Sequence, residues 1–338
     1  LTGDETDLLR IAPRIPPEAY PRRAKNQMYY LMGLRKMKEN DSTAALKYFG
    51  QVSSKSSLYL RARYLEGVIY NKEGKLKSAV RSFRDVYRHP LSGRKSARAA
   101  KRYKDLKDLS LINVARIYYK IERFDDATKY FELVAHDSDY WPEALFSNAW
   151  SQFMQNNLNQ ALGQLLTTQS PFFNQDDFLP EVQYLRALTF FNLCEYKDVE
   201  RLLLAFEDEM RPIQTELKEF VKGYASAENR KMADKAWEQY MSGVRGTNIP
   251  KALFTRMLRN RDLAGVVDHM ALMEDEVLLI QQQKTVWRDT LGVSLQQIIA
   301  KDRQKYKRRA GLFMLSEMAR WSNNLQDLLT SSEIVRFE

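Results

Sequence analysis

Apolar residues, alternately small and large, recur along the chain at helical spacing and with a fixed period. Gly33 is followed by Ala45, Phe49 and Val52; Gly67, thirty-four residues on, is followed by Ala79, Phe83 and Val86 at identical intervals. A third copy runs Ala115, Ala127, Phe131, Val134, a fourth Ala149, Ala161, Leu165, and a weaker fifth Ala187, Val199, Leu203, Phe206. A period of this length is one helix–turn–helix unit, which cannot bury its apolar face alone and therefore stacks on its neighbours. The spacing predicts that the small residue at the eighth position of each unit faces Ala at the twentieth across the hairpin. An aromatic at the eleventh, as in Tyr70, Tyr118 and Phe190, fills the space beside it. Asn40-Asp41, Glu73-Gly74 and Asn156-Asn157 fall between the two helices and are turn formers.

These residues resemble the tetratricopeptide repeat family over about residues 20–210. Trp is absent from the fourth position, where Tyr29, Arg63, Leu111, Leu145 and Gln183 stand, and an insert near Ser92 to Asp105 separates the second and third repeats. The resemblance implies an all-α, right-handed α-solenoid of helical hairpins. It also implies a concave surface, lined by the first helix of each repeat, that holds an extended peptide or a partner's helix. Carried over repeat by repeat, the fifth position gives Tyr30, Tyr64, Ile112, Phe146 and Tyr184, and the ninth includes Arg116 and Trp150. The twelfth gives Met37, Asn71, Tyr119, Phe153 and Phe191, and the thirteenth Lys38, Lys72, Lys120 and Met154. Rigid aromatic area with an optional polar handle is what interface centres favour. The intramolecular alternative is that a C-terminal helix fills this groove and uses the same residues as core.

Beyond Met210 the register decays. Gly223 with Ala233 and Trp237 reads as a degenerate sixth hairpin, and Gly243 to Pro250 as a linker. From about Asp268, Leu278, Leu279, Val286, Leu291, Leu295, Ile298 and Ile299 recur near helical spacing, and a second amphipathic stretch, Leu312 to Leu329, is expected to fold back on them. The organisation expected is an N-terminal extension over 1–19 and a solenoid over 20–210 with a basic insert at 92–105. Degenerate hairpins and a linker follow over 211–267, and a helical hairpin over 268–338 caps the last apolar face.

Composition agrees with short, repeated turns: 13 Gly and 10 Pro in 338 residues are too few for a turn-rich β fold. Charge adds a second candidate surface. The net +10 hides a basic first stretch, 25 Lys/Arg against 11 Asp/Glu over residues 1–110, and an acidic middle, 5 against 16 over residues 121–210. Arg94, Lys95, Arg98, Lys101, Arg102 and Lys104 form one basic cluster, and Lys305, Lys307, Arg308 and Arg309 the core of another. Such patches could neutralise nucleic acid or an anionic membrane surface, the alternative function, but no nucleic-acid-binding motif accompanies them. The longest uncharged stretch, Ala144 to Gln175, is too rich in Asn, Gln, Ser and Thr to span a membrane.

Chemistry is not foreshadowed. One cysteine excludes an internal disulfide, and Cys194 is expected to be a small core residue in the first helix of the fifth repeat. No phosphate loop, HExxH or GxSxG occurs, so no enzyme, cofactor, metal site or small-molecule ligand is expected. The expected function is a non-catalytic adaptor or scaffold for another protein. A start at Leu1 rather than Met leads one to expect that an N-terminal piece has been removed. With the lone Cys and Tyr/Arg-rich helices, this resembles bacterial periplasmic repeat proteins of envelope complexes, a periplasmic or outer-membrane-associated setting with the cytoplasm as alternative.

Overall fold

A computed structural model describes residues 15–16, 19–21, 24–90, 97–170, 179–222, 229–242, 247–257 and 260–338, without the side chains of 97–99, 229–230 and 261–262. All regular structure in them is helical, and none of their helices is long and apolar enough to cross a membrane. The chain divides between Thr168 and Gln169 into two compact units.

The first unit contains α1 (Lys25–Lys38), α2 (Ser42–Gly50), α3 (Tyr59–Lys72), α4 (Leu76–Tyr87), α5 (Ala97–Lys120), α6 (Phe124–Glu132), α7 (Trp141–Met154) and α8 (Leu158–Thr168). They pair as antiparallel hairpins, and α5 extends backwards through the second half of the basic insert. Every hairpin is closed by one residue in the left-handed region: Asn40, Gly74, Glu122 and Asn156, with φ of 59°, 73°, 60° and 61°. The amide of that residue bonds to the carbonyl three back, and the next amide to the carbonyl five back. Examples are Asn40 to Met37 and Asp41 to Lys36, at 3.1 and 2.9 Å. This double bond satisfies orphan carbonyls at the helix end. The residue after it is already the N-cap of the next helix, and Asp41 also accepts from the Ala44 amide at 3.0 Å.

Across the first two hairpins a phenylalanine makes the closest approach to the small residue. A Cβ on Gly33 would stand 2.5 Å from the Phe49 ring, and one on Gly67 2.7 Å from the Phe83 ring. At Gly33 and Gly67 the small residue at the eighth position is therefore required by the aromatic ring sixteen residues later. Phe49 and Phe83 are fully buried, flanked on the other side by Tyr30 and Tyr64 at ring separations of 5.9 and 5.5 Å. Burial of such a ring stabilises by roughly 2–3 kcal/mol. The repeat residues Ala45, Ala79, Ala115, Ala127, Ala149, Ala161 and Leu165 are all buried.

The second unit contains α9 (Glu181–Asn192), α10 (Tyr196–Val221), α11 (Asn229–Met241), α12 (Lys251–Met257) and α13 (Arg261–Gln281). A short α14 (Thr285–Trp287) and a π turn (Arg288–Gly292) lead into α15 (Val293–Phe337). Its first hairpin, α9/α10, repeats the left-handed closure at Cys194, φ 62°. Cys194 is thus exposed at a turn rather than buried in a helix, because the hairpin needs that position free of the core. The C-terminal region also departs from expectation. Val293–Phe337 is one continuous helix, and the reversal lies at Gln282 to Lys284. Helix α15 packs chiefly on α10 and α11, burying Met314, Leu315, Met318, Trp321 and Leu325 in a core with Phe206, Met210, Leu217, Trp237 and Phe254. Ile249, at the end of the expected linker, is buried in the same core. Gly223 and residues 243–246 lie outside the described residues. A Cβ on Gly311 would meet the Ala233 carbonyl oxygen at 2.0 Å, so α11 and α15 touch backbone to backbone. The buried Glu207 carboxylate anchors the far end of α15, accepting from Ser332 Oγ at 2.9 Å and Arg336 Nη1 at 3.0 Å.

Two substitutions with opposite signs test this packing. Gly311→Ala, which intrinsic propensity alone would favour in a helix by about 1 kcal/mol, should instead destabilise by about 2 kcal/mol or more, since two backbones must separate. Glu122→Gly should stabilise by about 1 kcal/mol by relieving the left-handed residue. Urea unfolding with unchanged m-value checks both.

Candidate partner-binding surface

The first helices α1, α3, α5 and α7 carry the residues predicted to face the groove of the first unit, and the structure gives them different roles. Tyr30 and Tyr64 lie half-buried on Phe49 and Phe83, and the Tyr64 hydroxyl accepts from Asn113 Nδ2 at 3.2 Å. They are as much core as surface. Asn71 and Phe146 are half-buried, Ile112 is fully buried, and Met154 is 50 % exposed.

Arg116, Tyr119 and Trp150 are brought together. With Phe131 and Ser147 they wall an open hollow of about 350 Å³ between α5 and α7. Trp150 packs edge-on against Phe153 at 5.8 Å, and Tyr119 against Phe124 at 5.2 Å, so both rings are braced from behind. Arg116 Nη2 donates to Glu143 Oε1 at 2.7 Å, which fixes a cation at the rim. Burial pushes the Tyr119 hydroxyl above its ordinary value, so it stays a neutral donor and acceptor. The hollow can take one apolar side chain and offers a charge-assisted contact beside it. It has the dimensions of a side-chain or small-ligand pocket.

Two of its walls were not singled out from the sequence. Phe131 was read as repeat core, and it is only 2 % exposed. Ser147, two residues before the small Ala149, leaves the opening; a small residue on the groove side of a first helix was the available signal. The two remaining groove residues, Tyr184 and Phe191, belong to the second unit. There they pack in a cluster with Ala187, Leu203 and Val335 from the last turns of α15.

The basic clusters are only partly described. Arg94, Lys95 and the Arg98 side chain lie outside the described residues. Arg102 is exposed, whereas Lys101 pairs with Asp139 at 3.1 Å and Lys104 with Asp137, tying α5 to the loop before α7. In the later cluster Lys305 pairs with Asp302 at 2.8 Å and Lys307 with Glu238 at 3.2 Å; Arg308 is half-buried and Arg309 exposed. His136 faces Trp141 at 4.7 Å while its neighbour Asp137 turns to Lys104, so the two are not joined as an acid–base pair.

Helical hairpins in this register define a tetratricopeptide-like all-α solenoid fold. The apo form of RapI is similar in fold, with a TM-score of 0.50 at 9% identity, covering 90% of this chain and 80% of that one. The C-terminal part of a TPR repeat-containing protein from Cytophaga hutchinsonii gives 0.47 at 11%, covering 73% and 87%. No protein-family model matches the chain, and no curated protein matches it in sequence.

One buried acid lies in the same helix as Tyr64. Glu66 is 3 % exposed and accepts from Arg63 Nη2 at 2.5 Å. Burial outweighs the Arg63 charge and, helped by nearby Asp85, lifts its pKa to about 7. The folded chain therefore holds this proton more tightly than the unfolded one. The resulting stability is fully present below the ordinary value of 4.5 and is lost as pH rises to about 7. Glu66→Gln should flatten the pH dependence of Tm between those limits and stabilise the protein at pH 8 by about 2 kcal/mol, measured by thermal melts across a pH series.

Proposed function

We propose that the protein is a non-catalytic scaffold that holds a segment of a partner protein on the inner face of its first unit. The observation that supports this most directly is the braced aromatic hollow of Arg116, Tyr119, Phe131, Ser147 and Trp150. An interface concentrates its energy where rigid aromatic walls surround one desolvated anchor. Here the anchor is an aliphatic or aromatic side chain, with a carboxylate nearby drawn to Lys120, one turn beyond the Arg116 that Glu143 already engages. Other first-helix residues, Phe146, Phe153 and Met154, extend the apolar track. A setting in a multiprotein complex of the bacterial envelope rests on the compositional resemblance alone. Against the reading as a binder of polyanions stand Lys101, Lys104, Lys305 and Lys307, which face carboxylates of their own chain, while Arg102 and Arg309 are exposed.

Peptides selected on the wild type from a random display library should contain an apolar anchor beside an acidic residue. They should bind Trp150→Ala on the order of 30-fold more weakly, the loss expected at an interface centre, with circular dichroism and melting unchanged. Selected ligands that bind this variant normally and are lost on Lys101→Glu with Arg102→Glu would overturn the proposal.

A further inference from the structure

Phe131 also lines a second, narrower cavity of the first unit, of about 110 Å³, which shares no other described wall with the hollow of Tyr119 and Trp150. It forms where α6 meets α7 and α8. Asn148 on α7 and Gln164 on α8 line it from within, Trp141 beside them, and the exposed Glu132 and His136 at its mouth. Asn148 is 3 % exposed, yet its Oδ1 has no hydrogen-bond partner among the described residues, and neither has the buried Oε1 of Gln164. Other amides close by are satisfied. Gln152, one turn beyond Asn148, donates to Thr128 at 3.4 Å and accepts from Asn157 at 2.9 Å. A buried amide oxygen without a partner is costly, and two of them on one cavity call for a donor.

The remaining lining selects the donor. An amide turns about its last bond at little cost, so the acceptor-only carboxylate of Glu132 sets the polarity of the guest. Glu132 has no ion pair among the described residues: Lys129, three residues earlier on α6, pairs with Asp126 at 3.6 Å. Lys101 and Lys104, which reach the loop that carries His136, are engaged by Asp139 and Asp137. A cation is favoured further by the stretch in which the cavity lies, with 5 Lys/Arg against 16 Asp/Glu over residues 121–210. Trp141 presents an indole braced by the His136 ring at 4.7 Å, and a flat cation stacks on such a surface. A guanidinium is flat and carries five N–H donors in a fixed fork, enough for two amide oxygens and a carboxylate together. An ammonium is a compact, strongly hydrated point charge. The cavity is several times larger than one water needs.

We infer that this cavity is a binding site for a guanidinium group, held by Asn148, Gln164 and Glu132 and stacked on Trp141. A free guanidinium compound and an arginine side chain of a partner protein present the same fork to it. The site is distinct from the groove and stands whether or not a partner segment is held there. If the two amides served packing alone, leucine at 148 would do better, filling the space and leaving no polar atom unpaired.

Indole ¹⁵N–¹H spectra of the full chain test this, since there are only 5 Trp and Trp141→Phe identifies the signal of Trp141. Agmatine should shift that signal saturably, with a dissociation constant on the order of 1 mM. Putrescine, which carries an ammonium in place of the guanidinium, should bind at least ten-fold more weakly. Asn148→Leu should weaken agmatine at least ten-fold while melting no lower than the wild type, because an unpaired buried amide is removed. Glu132→Gln, at an exposed position, should weaken it about five-fold, and Trp150→Ala should leave it unchanged. A capped Ala-Ala-Arg-Ala-Ala peptide distinguishes the sources: tighter binding than agmatine assigns the site to a partner's arginine, and binding no tighter to a free compound, both upholding the site. No saturable Trp141 shift at twenty times the expected constant, equal affinity for putrescine, or agmatine binding that survives both Asn148→Leu and Glu132→Gln would each overturn it.

Discussion

The contact on which the first two repeats rest is a phenylalanine ring pressed against a glycine of the facing helix. At Gly33 and Gly67 there is room for nothing larger than hydrogen, since an added Cβ would penetrate the rings of Phe49 and Phe83. Close approach sets the helix separation in each hairpin, and that separation sets how the next hairpin stacks. Dispersion and apolar burial reward it only while the ring is seated. The tyrosines one turn earlier, Tyr30 and Tyr64, close the other side of the ring. A residue expected to face the groove is thereby tied to the core. The third and fourth repeats use Ala115 and Ala149 at the small position. There the aromatic groove residues Tyr119 and Trp150 are braced by other rings, Phe124 and Phe153, and wall an open hollow.

The left-handed turn is the second constraint. Asn40, Gly74, Glu122, Asn156 and Cys194 share one backbone conformation and one pair of hydrogen bonds, although only Gly and Asn adopt it readily. Glu122 and Cys194 are held there by the packing on either side, a local cost borne for a hairpin of the right length. In the second unit a different device takes over. Gly311 lets α15 lie directly on α11, and the buried Glu207 gathers Ser332 and Arg336 at its far end, so a single long helix organises the core that repeated hairpins no longer supply.

Charge acts at the edges of this scheme. Most ion pairs are exposed, each worth little by itself, yet they decide which cations are already engaged. Lys101 and Lys104 serve the loop before α7, and Arg303 the hairpin of α13 and α15. Part of the basic insert is thereby engaged within the fold. The hollow on the first unit and the bare face on the C-terminal hairpin differ in kind. The former is walled by aromatics; the latter carries exposed aliphatic side chains, Leu279 and Ile298 among them.

How much of this was legible in the residues can be argued from particular cases. The period of Gly33, Ala45, Phe49 and Val52 specified helical hairpins, their register and most of the repeat core, because a small residue and a ring at fixed spacing admit few other packings. That Arg116, Tyr119 and Trp150 lie near one another was legible for the same reason, since position within a repeat fixes the side of the helix. Three matters were decided only in three dimensions. Cys194 was indistinguishable in composition from a core residue, and its exposure follows from where a turn must fall. Phe131, read as repeat core, proved also to line the hollow, together with Ser147. Leu279 and Ile298 have the periodicity of a buried seam, and periodicity reports that a helix has an apolar face without naming what covers it. Local spacing is a property of one helix, whereas burial depends on the neighbour, and the neighbour is chosen by the whole fold.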